Sequence, residues 1–125
     1  MRDFRKLKIW QQGIQLVKEV YLLSGLLPKE EKYGLKSQMC RAAVSIPSNI
    51  AEGCSRNSDI EFRRYLEMAM GSTFELETQL ILLKEIGYTR EEKLIDVFAL
   101  LSSEQKMINA LIAKISNSQK LTTKS

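Results

Sequence analysis

From Phe62 to Leu83 the chain places small or apolar residues at spacings that alternate between four and three without a break. The series consists of Phe62, Leu66, Ala69, Thr73, Leu76, Leu80 and Leu83. Because an α-helix turns once in about 3.6 residues, this spacing lines one face of a helix and predicts a long seam of contact with other helices. The capping box "SDIE", beginning at Ser58, starts this helix, and Gly87 ends it.

Three further segments have helical periodicity and are separated by short connections. The first runs from about Arg5 to Ser24, the second follows "SGLLPKEEKYGL" and reaches Cys54, and the last follows the capping box "TREE". Helices joined by short loops favour antiparallel neighbours. The sequence therefore predicts an all-α protein: one up-down-up-down antiparallel four-helix bundle over residues 1–115, with a flexible polar tail over residues 116–125.

The second helix carries a proline in its interior. Its apolar series continues through Pro47 at helical spacing, which favours one helix kinked at Pro47 over two separate helices. The series consists of Leu35, Met39, Ala43, Ile46, Ile50 and Cys54. An interior proline costs about 3 kcal/mol, because it removes a backbone donor and crowds the preceding turn. We therefore expect close packing around the neighbouring small residues to offset this cost.

The first helix is apolar on two sides. One series, which we assign to contacts within the bundle, consists of Leu7, Trp10, Ile14, Val17 and Tyr21. The second lies roughly 200° around the helix and consists of Ile9, Gly13, Leu16, Val20 and Leu23. Because a helix of a solitary bundle needs only one apolar side, we assign the second series to an oligomer interface.

Positive charge is concentrated near the N-terminus. The net charge is +4, and residues 1–41 hold nine basic and four acidic side chains, whereas residues 42–125 hold ten and eleven. If a polyanion binds, it is expected to contact the N-terminal end. The spacing of Lys29, Lys32 and Lys36 predicts one helical row, although a merely solvated helix carries such rows too. The candidate nucleic-acid-binding residues are Arg2, Arg5, Lys6, Lys8, Lys29, Lys32, Lys36, Arg41, Arg63 and Arg64.

Groups for catalysis or metal binding are scarce. The chain has no histidine, which removes the ligands of ferritin-like di-metal bundles and the base of serine or cysteine nucleophile sites. Cys40 and Cys54 lie roughly 21 Å apart on one helix and are expected to stay reduced. Helical carboxylates are more often solvated or paired with cations than catalytic, so we expect no enzyme, metal, cofactor or small-molecule substrate. The carboxylates considered are Glu52, Glu67, Glu75 and Glu77.

A polar stripe crosses the second helix beside the proline. Ser45, Asn49, Glu52 and Arg56 recur at spacings of four, three and four. The structural interpretation is a hydrogen-bonded network between helices with a Glu52–Arg56 ion pair, and the alternative is a ligand or subunit site. We predict a structural motif that consists of Ser45, Pro47, Asn49, Glu52, Gly53 and Arg56.

The start of the chain gives no sign of export. "MRDFRKLKIWQQG" is amphipathic from its first residues, and no apolar run reaches the length that spans a membrane. We therefore expect a cytoplasmic protein without a membrane partner.

Several quoted segments resemble one known family. "LKIWQQG", "PKEEKYGLKSQMCRAAVSIPSNIAEGCSR", "EFRRYLEMAMGSTFELETQL" and "IGY" are similar, in order and spacing, to the 23S rRNA-intervening sequence proteins, also called bacterial four helix bundle proteins. The resemblance covers about Phe4 to Ile115. It implies a left-handed antiparallel four-helix bundle assembled as a pentameric ring without enzymatic activity, similar in fold to the accessory protein of diversity-generating retroelements. Cys40 and Cys54 stand where relatives often carry other residues.

Two functions remain open at the level of sequence. The first is a non-catalytic homopentamer that binds structured RNA, or DNA, through a repeated basic surface, because copies arranged in a ring multiply weak contacts. The alternative is an oligomeric adaptor whose grooves bind a protein partner, with no direct nucleic-acid contact.

Overall fold

The computed structural model describes residues 2–31 and 33–124, with side chains described through residue 119. Short 3-10 turns at Phe4–Lys6 and Lys29–Glu31 precede the first two of four helices, which we label α1 (Lys8–Ser24), α2 (Leu35–Cys54), α3 (Asp59–Ile86) and α4 (Glu91–Lys124). The prediction of an all-α chain is confirmed.

The helices form an antiparallel bundle. Each packs against the next along the chain, and α4 packs back against α1. Hydrogen bonds also join neighbouring helices. Ser45 on α2 donates to Ser72 on α3 (Oγ to Oγ, 2.6 Å), and Gln105 on α4 donates to Glu77 on α3 (Nε2 to Oε1, 2.8 Å). Because short connections join consecutive helices and consecutive helices pack side by side, the helices run up, down, up and down.

The core runs the length of the bundle. All seven residues of the seam on α3 that the sequence predicts, Phe62 to Leu83, are buried. The Ser58 side chain accepts a hydrogen bond from the Glu61 backbone at 3.2 Å, which is the predicted cap. Gly87 ends α3 with φ 85°, a left-handed conformation that glycine adopts without the steric cost of a Cβ.

Helix α2 begins at Leu35, so Lys29, which the sequence predicts in one helical row with Lys32 and Lys36, lies before the helix. Pro28 and Lys29 precede the helix, and Gly34 separates the 3-10 turn from Leu35, the first residue of α2. Oε1 of Glu31 accepts from the Leu35 backbone at 3.1 Å, so a carboxylate satisfies an amide that the helix leaves unpaired.

Pro47 lies inside one continuous helix. The residue is buried on α2, and its ring faces Gly13 on α1: a Cβ added at Gly13 would lie 3.4 Å from Cβ of Pro47. The absence of a side chain at Gly13 therefore lets α1 and α2 approach at the proline. This close contact is the packing that we expected to offset the cost of Pro47; the kink itself stays a prediction.

Helix α4 continues into the segment predicted to be a flexible tail, residues 116–125, of which residue 125 lies outside the described residues. Residues 116–124 are helical. The guanidinium of Arg63 on α3 explains why: Nη1 donates to Gln119 Oε1 at 2.9 Å and to Ser116 Oγ at 3.3 Å. A polar contact therefore holds this end of α4 against α3 beyond Ile115, the last buried apolar residue described on α4.

The two faces of α1 are the reverse of those assigned from the sequence. The predicted interface residues are buried inside the chain, Leu16 and Val20 completely, so they belong to the core of the bundle. That set is Ile9, Gly13, Leu16, Val20 and Leu23. The other series, Leu7 to Tyr21, is half-buried or exposed. The correction has a physical reason: on the buried side Gly13 allows α1 to approach Pro47 of α2 closely, a contact that the pattern of α1 alone does not reveal.

Candidate functional site

The basic residues fall into two groups at opposite ends of the bundle. At one end, where α1 and α3 begin and α2 ends, the Arg2 backbone donates to Cys54 O at 3.3 Å. The candidates at this end are Arg2, Arg5, Lys6, Lys8, Arg63 and Arg64. Lys29 lies at the other end, and Lys36 and Arg41 follow along α2. The folded chain therefore does not gather the predicted residues into a single patch. Lys32 lies outside the described residues.

Two of the arginines at the first end already have close protein partners. Arg2 forms an ion pair with Asp59, and its guanidinium lies 4.1 Å from the ring centroid of Phe62. Arg63 pairs with Glu67 at 3.3 Å besides its contacts to α4. Such contacts position the chain segments at this end of the bundle.

Arg5 is bound more loosely. It lies 3.7 Å from Asp3 and 4.8 Å from the ring centroid of Phe4, and it remains largely exposed. Lys6, Lys8 and Arg64 are exposed as well. Exposed cations are available to phosphate groups, whereas breaking the contacts of a partnered arginine subtracts from the binding energy. The first end therefore offers Arg5, Lys6, Lys8 and Arg64 as its accessible charges.

The lysine row predicted on α2 is not formed as predicted. Lys29 belongs to the 3-10 turn, and Lys36 lies in the first turn of α2 beyond Gly34. Glu31 fixes this corner: its Oε2 accepts from the Tyr88 hydroxyl at 3.0 Å, and this hydrogen bond with the nearby carboxylate raises the pKa of Tyr88. Glu31 therefore connects the segment before α2 to Tyr88, and the basic residues Lys36 and Arg41 lie further along α2.

A groove lies over α2 between α1 and α3. It has a volume of about 960 Å³. Lys36 and Arg41 line it, together with Tyr21 from α1 and Tyr33 from the connection before α2. Glu75 and Ser72 form its wall on α3. The groove combines two cations and two aromatic rings in one concave surface.

The polar stripe of α2 joins α2 to α3. Ser45 binds Ser72, and Nδ2 of Asn49 donates to the Ser45 carbonyl at 2.8 Å. Arg56 lies 3.6 Å from Glu52, and its Nη2 donates to the Tyr65 hydroxyl at 2.6 Å. These are the contacts of a network between helices, the structural interpretation of the stripe.

Gly53 brings the same two helices together. A Cβ at this position would lie 2.7 Å from Cβ of Tyr65 and 3.2 Å from a ring carbon of Phe62. No side chain fits there without displacement. Burial also raises the pKa of the thiol of Cys54, the residue after Gly53. Neither Cys40 nor Cys54 forms a disulfide.

The four carboxylates considered for acid and base chemistry do not meet. Glu52 pairs with Arg56, just beyond the end of α2, and Glu67 pairs with Arg63 on α3. Glu75 accepts from Gln79 at 3.3 Å on α3, and Glu77 accepts from Gln105. Within the described residues, no group of three or more acidic or cysteine side chains is placed to hold a metal ion.

One buried carboxylate was missed from the sequence. Glu104 on α4 is completely buried, and neither of its carboxylate oxygens has a hydrogen-bond partner among the described residues. Burial raises its pKa from the usual 4.5 to about 8. The signal was present: the apolar series of α4 steps from Leu101 to Ile108, and Glu104 occupies the position between them.

The outward face of α1 and α2 is apolar and shallowly concave. Trp10, Ile14 and Val17 are half-buried, and the ring of Trp10 packs 5.1 Å from that of Phe4. A depression of about 280 Å³ lies between these residues and Val44, Pro47, Ser48 and Ala51. We call the surface formed by Trp10, Ile14, Val17, Val44 and Ala51 the outer α1–α2 face.

None of the helices described here is both long enough and apolar enough to cross a bilayer.

The comparisons with known proteins identify the family. Among solved structures, the chain is similar to a protein of unknown function from the S23 ribosomal protein family of Bacteroides thetaiotaomicron VPI-5482, with 21% identity and a TM-score of 0.78. The alignment covers 83% of this chain and 97% of that one, and at this identity it shows the shared fold alone. A search of curated proteins gives no match. The profile of the 23S rRNA-intervening sequence proteins matches residues 5–110, in agreement with the sequence motifs, and the chain therefore belongs to the 23S rRNA-intervening sequence protein family.

Proposed function

We propose that this chain is a non-catalytic, cytoplasmic homo-oligomer, a pentameric ring, that binds structured RNA through basic residues repeated around the ring. The observation that carries the proposal is the separation of the accessible cations. One subunit places Lys6, Lys8 and Arg64 at one end, and Lys36 and Arg41 on the opposite half of α2. Each small group of cations binds phosphates only weakly. A ring presents several copies of each group at once, and their combined binding to one nucleic acid is much stronger.

The outer α1–α2 face supports the oligomer. Its half-buried tryptophan and aliphatic side chains form an apolar depression that a second copy would cover. Closed rings use heterologous contacts, in which two different surfaces of the subunit meet. The exposed side of α3 supplies a second surface: Gly71 has no atom within 4 Å of an added Cβ, and Phe74 beside it is 57% exposed.

A titration tests nucleic-acid binding. The full chain is mixed with a labelled RNA hairpin, the corresponding DNA hairpin and a scrambled unstructured RNA, at salt concentrations from 20 to 300 mM (on the order of the range over which phosphate binding weakens). We expect affinity to fall linearly with salt on logarithmic axes, because each phosphate contact releases counterions. Absence of binding to every probe at the lowest salt refutes the proposal.

A protein adaptor is the second candidate, and exposed apolar side chains on α3 favour it. Met68, Ile81 and Ile86 are each about half exposed, and Phe74 lies among them. An affinity capture from lysate, with and without nuclease, separates the two functions. A partner that persists after nuclease treatment supports the adaptor, and one that disappears with the nucleic acid supports the binder.

A further inference from the structure

The groove over α2 has the composition of a site for an unpaired nucleotide. Phosphate recognition needs cations, and recognition of an unstacked base needs an aromatic face that stays accessible. Lys36 and Arg41 supply the cations. Tyr21 and Tyr33, which are 54% and 87% exposed, supply the accessible aromatic faces. All four line the same groove.

The charges of the groove give it a direction. Lys36 and Arg41 lie on α2, whereas Glu75, the one acidic residue among those lining the groove, lies on the α3 wall. A phosphate is attracted to the α2 side and repelled from the Glu75 carboxylate. The backbone of a bound strand is therefore expected along α2, with its bases turned toward the tyrosines and away from the cations.

We propose that this groove binds an unpaired segment of nucleic acid, with phosphates at Lys36 and Arg41 and bases stacked on Tyr21 and Tyr33. The proposal rests on the proposed function and narrows it, because it assigns single-stranded bases to a defined surface of each subunit. A duplex keeps its bases stacked inside and cannot use the tyrosines in this way. The accessible cations at the other end of the bundle bind paired and unpaired strands alike.

Cys40 supplies a reporter within the groove. Its thiol is half-buried in the groove lining, whereas Cys54 is 1% exposed. Modification by a water-soluble maleimide therefore starts at Cys40. The rate of modification is measured on the full chain with no nucleic acid, with a single-stranded RNA, and with the same strand annealed to its complement. The strand has about twelve nucleotides, a length comparable to known single-strand binding sites. We expect the single strand to slow the reaction severalfold and the duplex to slow it much less, because its bases cannot stack in the groove.

Two substitutions of Tyr33 test the stacking. Tyr33→Ala should weaken binding of the single strand at least about fivefold, and Tyr33→Phe, which keeps the ring, should leave it near the original value. Duplex affinity should be the same in both variants. Arg41→Gln should lower the salt dependence for the single strand by about 0.7 on logarithmic axes, because one phosphate is then no longer neutralised.

The outcomes separate this inference from the function on which it rests. If the single strand binds but does not protect Cys40, or if Tyr33→Ala binds as well as the unmodified chain, the groove is not the site, while nucleic-acid binding itself stands. If neither strand nor duplex binds at low salt, the proposed function fails and the groove assignment fails with it.

Discussion

Gly13 on α1 faces Glu104 on α4: a Cβ added at Gly13 would lie 3.3 Å from Oε2 of that buried carboxylate. Pro47 on α2 borders the same point, so three helices meet where a glutamate has no described hydrogen-bond partner. A buried charge without a partner is costly, and the raised pKa of about 8 means that Glu104 is mostly protonated at neutral pH. The bundle therefore carries an acid in its core whose protonation is coupled to folding.

The pH dependence of stability follows from this coupling. Below pH 4.5 the carboxyl is neutral in folded and unfolded chains, and it adds no penalty. Between 4.5 and about 8 only the folded chain keeps the proton, so its contribution to stability falls by about 1.4 kcal/mol per pH unit as pH rises. Above about 8 the penalty is complete and constant.

We expect Glu104→Gln to abolish the fall in stability between pH 4.5 and about 8. Glu104→Leu should stabilise the fold by about 3 kcal/mol at pH 7, because no ionisable group is then buried at this position. Urea unfolding of the three proteins at pH 5, 6, 7 and 8 measures the difference. If stability varied with pH in the same way for the unmodified chain and for Glu104→Gln, folding would not raise the pKa of Glu104, and the prediction would be wrong.

Two glycines of helical segments make a matched pair. Gly53 is pressed against Tyr65, so Gly53→Ala should destabilise the fold by about 1–3 kcal/mol through overpacking. Gly71 has open space around it, so Gly71→Ala should stabilise α3 by about 1 kcal/mol through helix propensity. Thermal unfolding at matched protein concentration measures both. Equal effects of the two substitutions would contradict the packing described at Gly53.

Gly71 also tests the proposed assembly. Gly71→Leu places a larger side chain on the exposed face of α3 without a clash inside the subunit. If a neighbouring subunit packs there, the substitution should reduce the oligomer while the far-UV circular dichroism remains helical. An oligomer of unchanged mass would remove this side of α3 from the interface.

The outer α1–α2 face leads to a sharper prediction. Ile14→Glu puts a charge into the apolar depression and should convert the oligomer to monomers, because an unpaired charge is costly to bury. Gln15→Glu makes the same charge change on the exposed side of the helix and should leave the assembly intact. Light scattering at micromolar concentration measures the mass. A monomeric unmodified chain would refute the oligomer proposal outright.

The sequence predicted the helices and their order because periodicity is a local property. The seam from Phe62 to Leu83 has one interpretation, since only one face of α3 is continuously apolar. The first helix has two apolar faces, and its own pattern cannot decide between them. In the structure the buried face contains Gly13, which lies close to Pro47 of α2, and such a contact between segments distant in the chain is not visible in the pattern of α1.

The candidate site was less predictable for a similar reason. The basic residues were correctly recognised as cations, but their accessibility depends on partners elsewhere, as Arg2 has in Asp59 and Phe62. The row predicted from Lys29 to Lys36 fails because Gly34 separates a 3-10 turn from α2, which changes the rotation per residue. Spacing along the chain predicts a shared face only where the helix is continuous.

Arg63 and Arg64 are neighbours in sequence with different expected roles. Arg63 binds Gln119 and Ser116 and holds the end of α4, whereas Arg64 is exposed. Arg63→Gln should therefore speed hydrogen exchange of the backbone amides in residues 116–124 and leave the salt dependence of nucleic-acid binding unchanged. Arg64→Gln should do the opposite, with the duplex slope reduced by about 0.9 for each phosphate that is no longer neutralised. If Arg63→Gln lowers that slope and leaves exchange unchanged, Arg63 contacts nucleic acid and the end of α4 is held by something else.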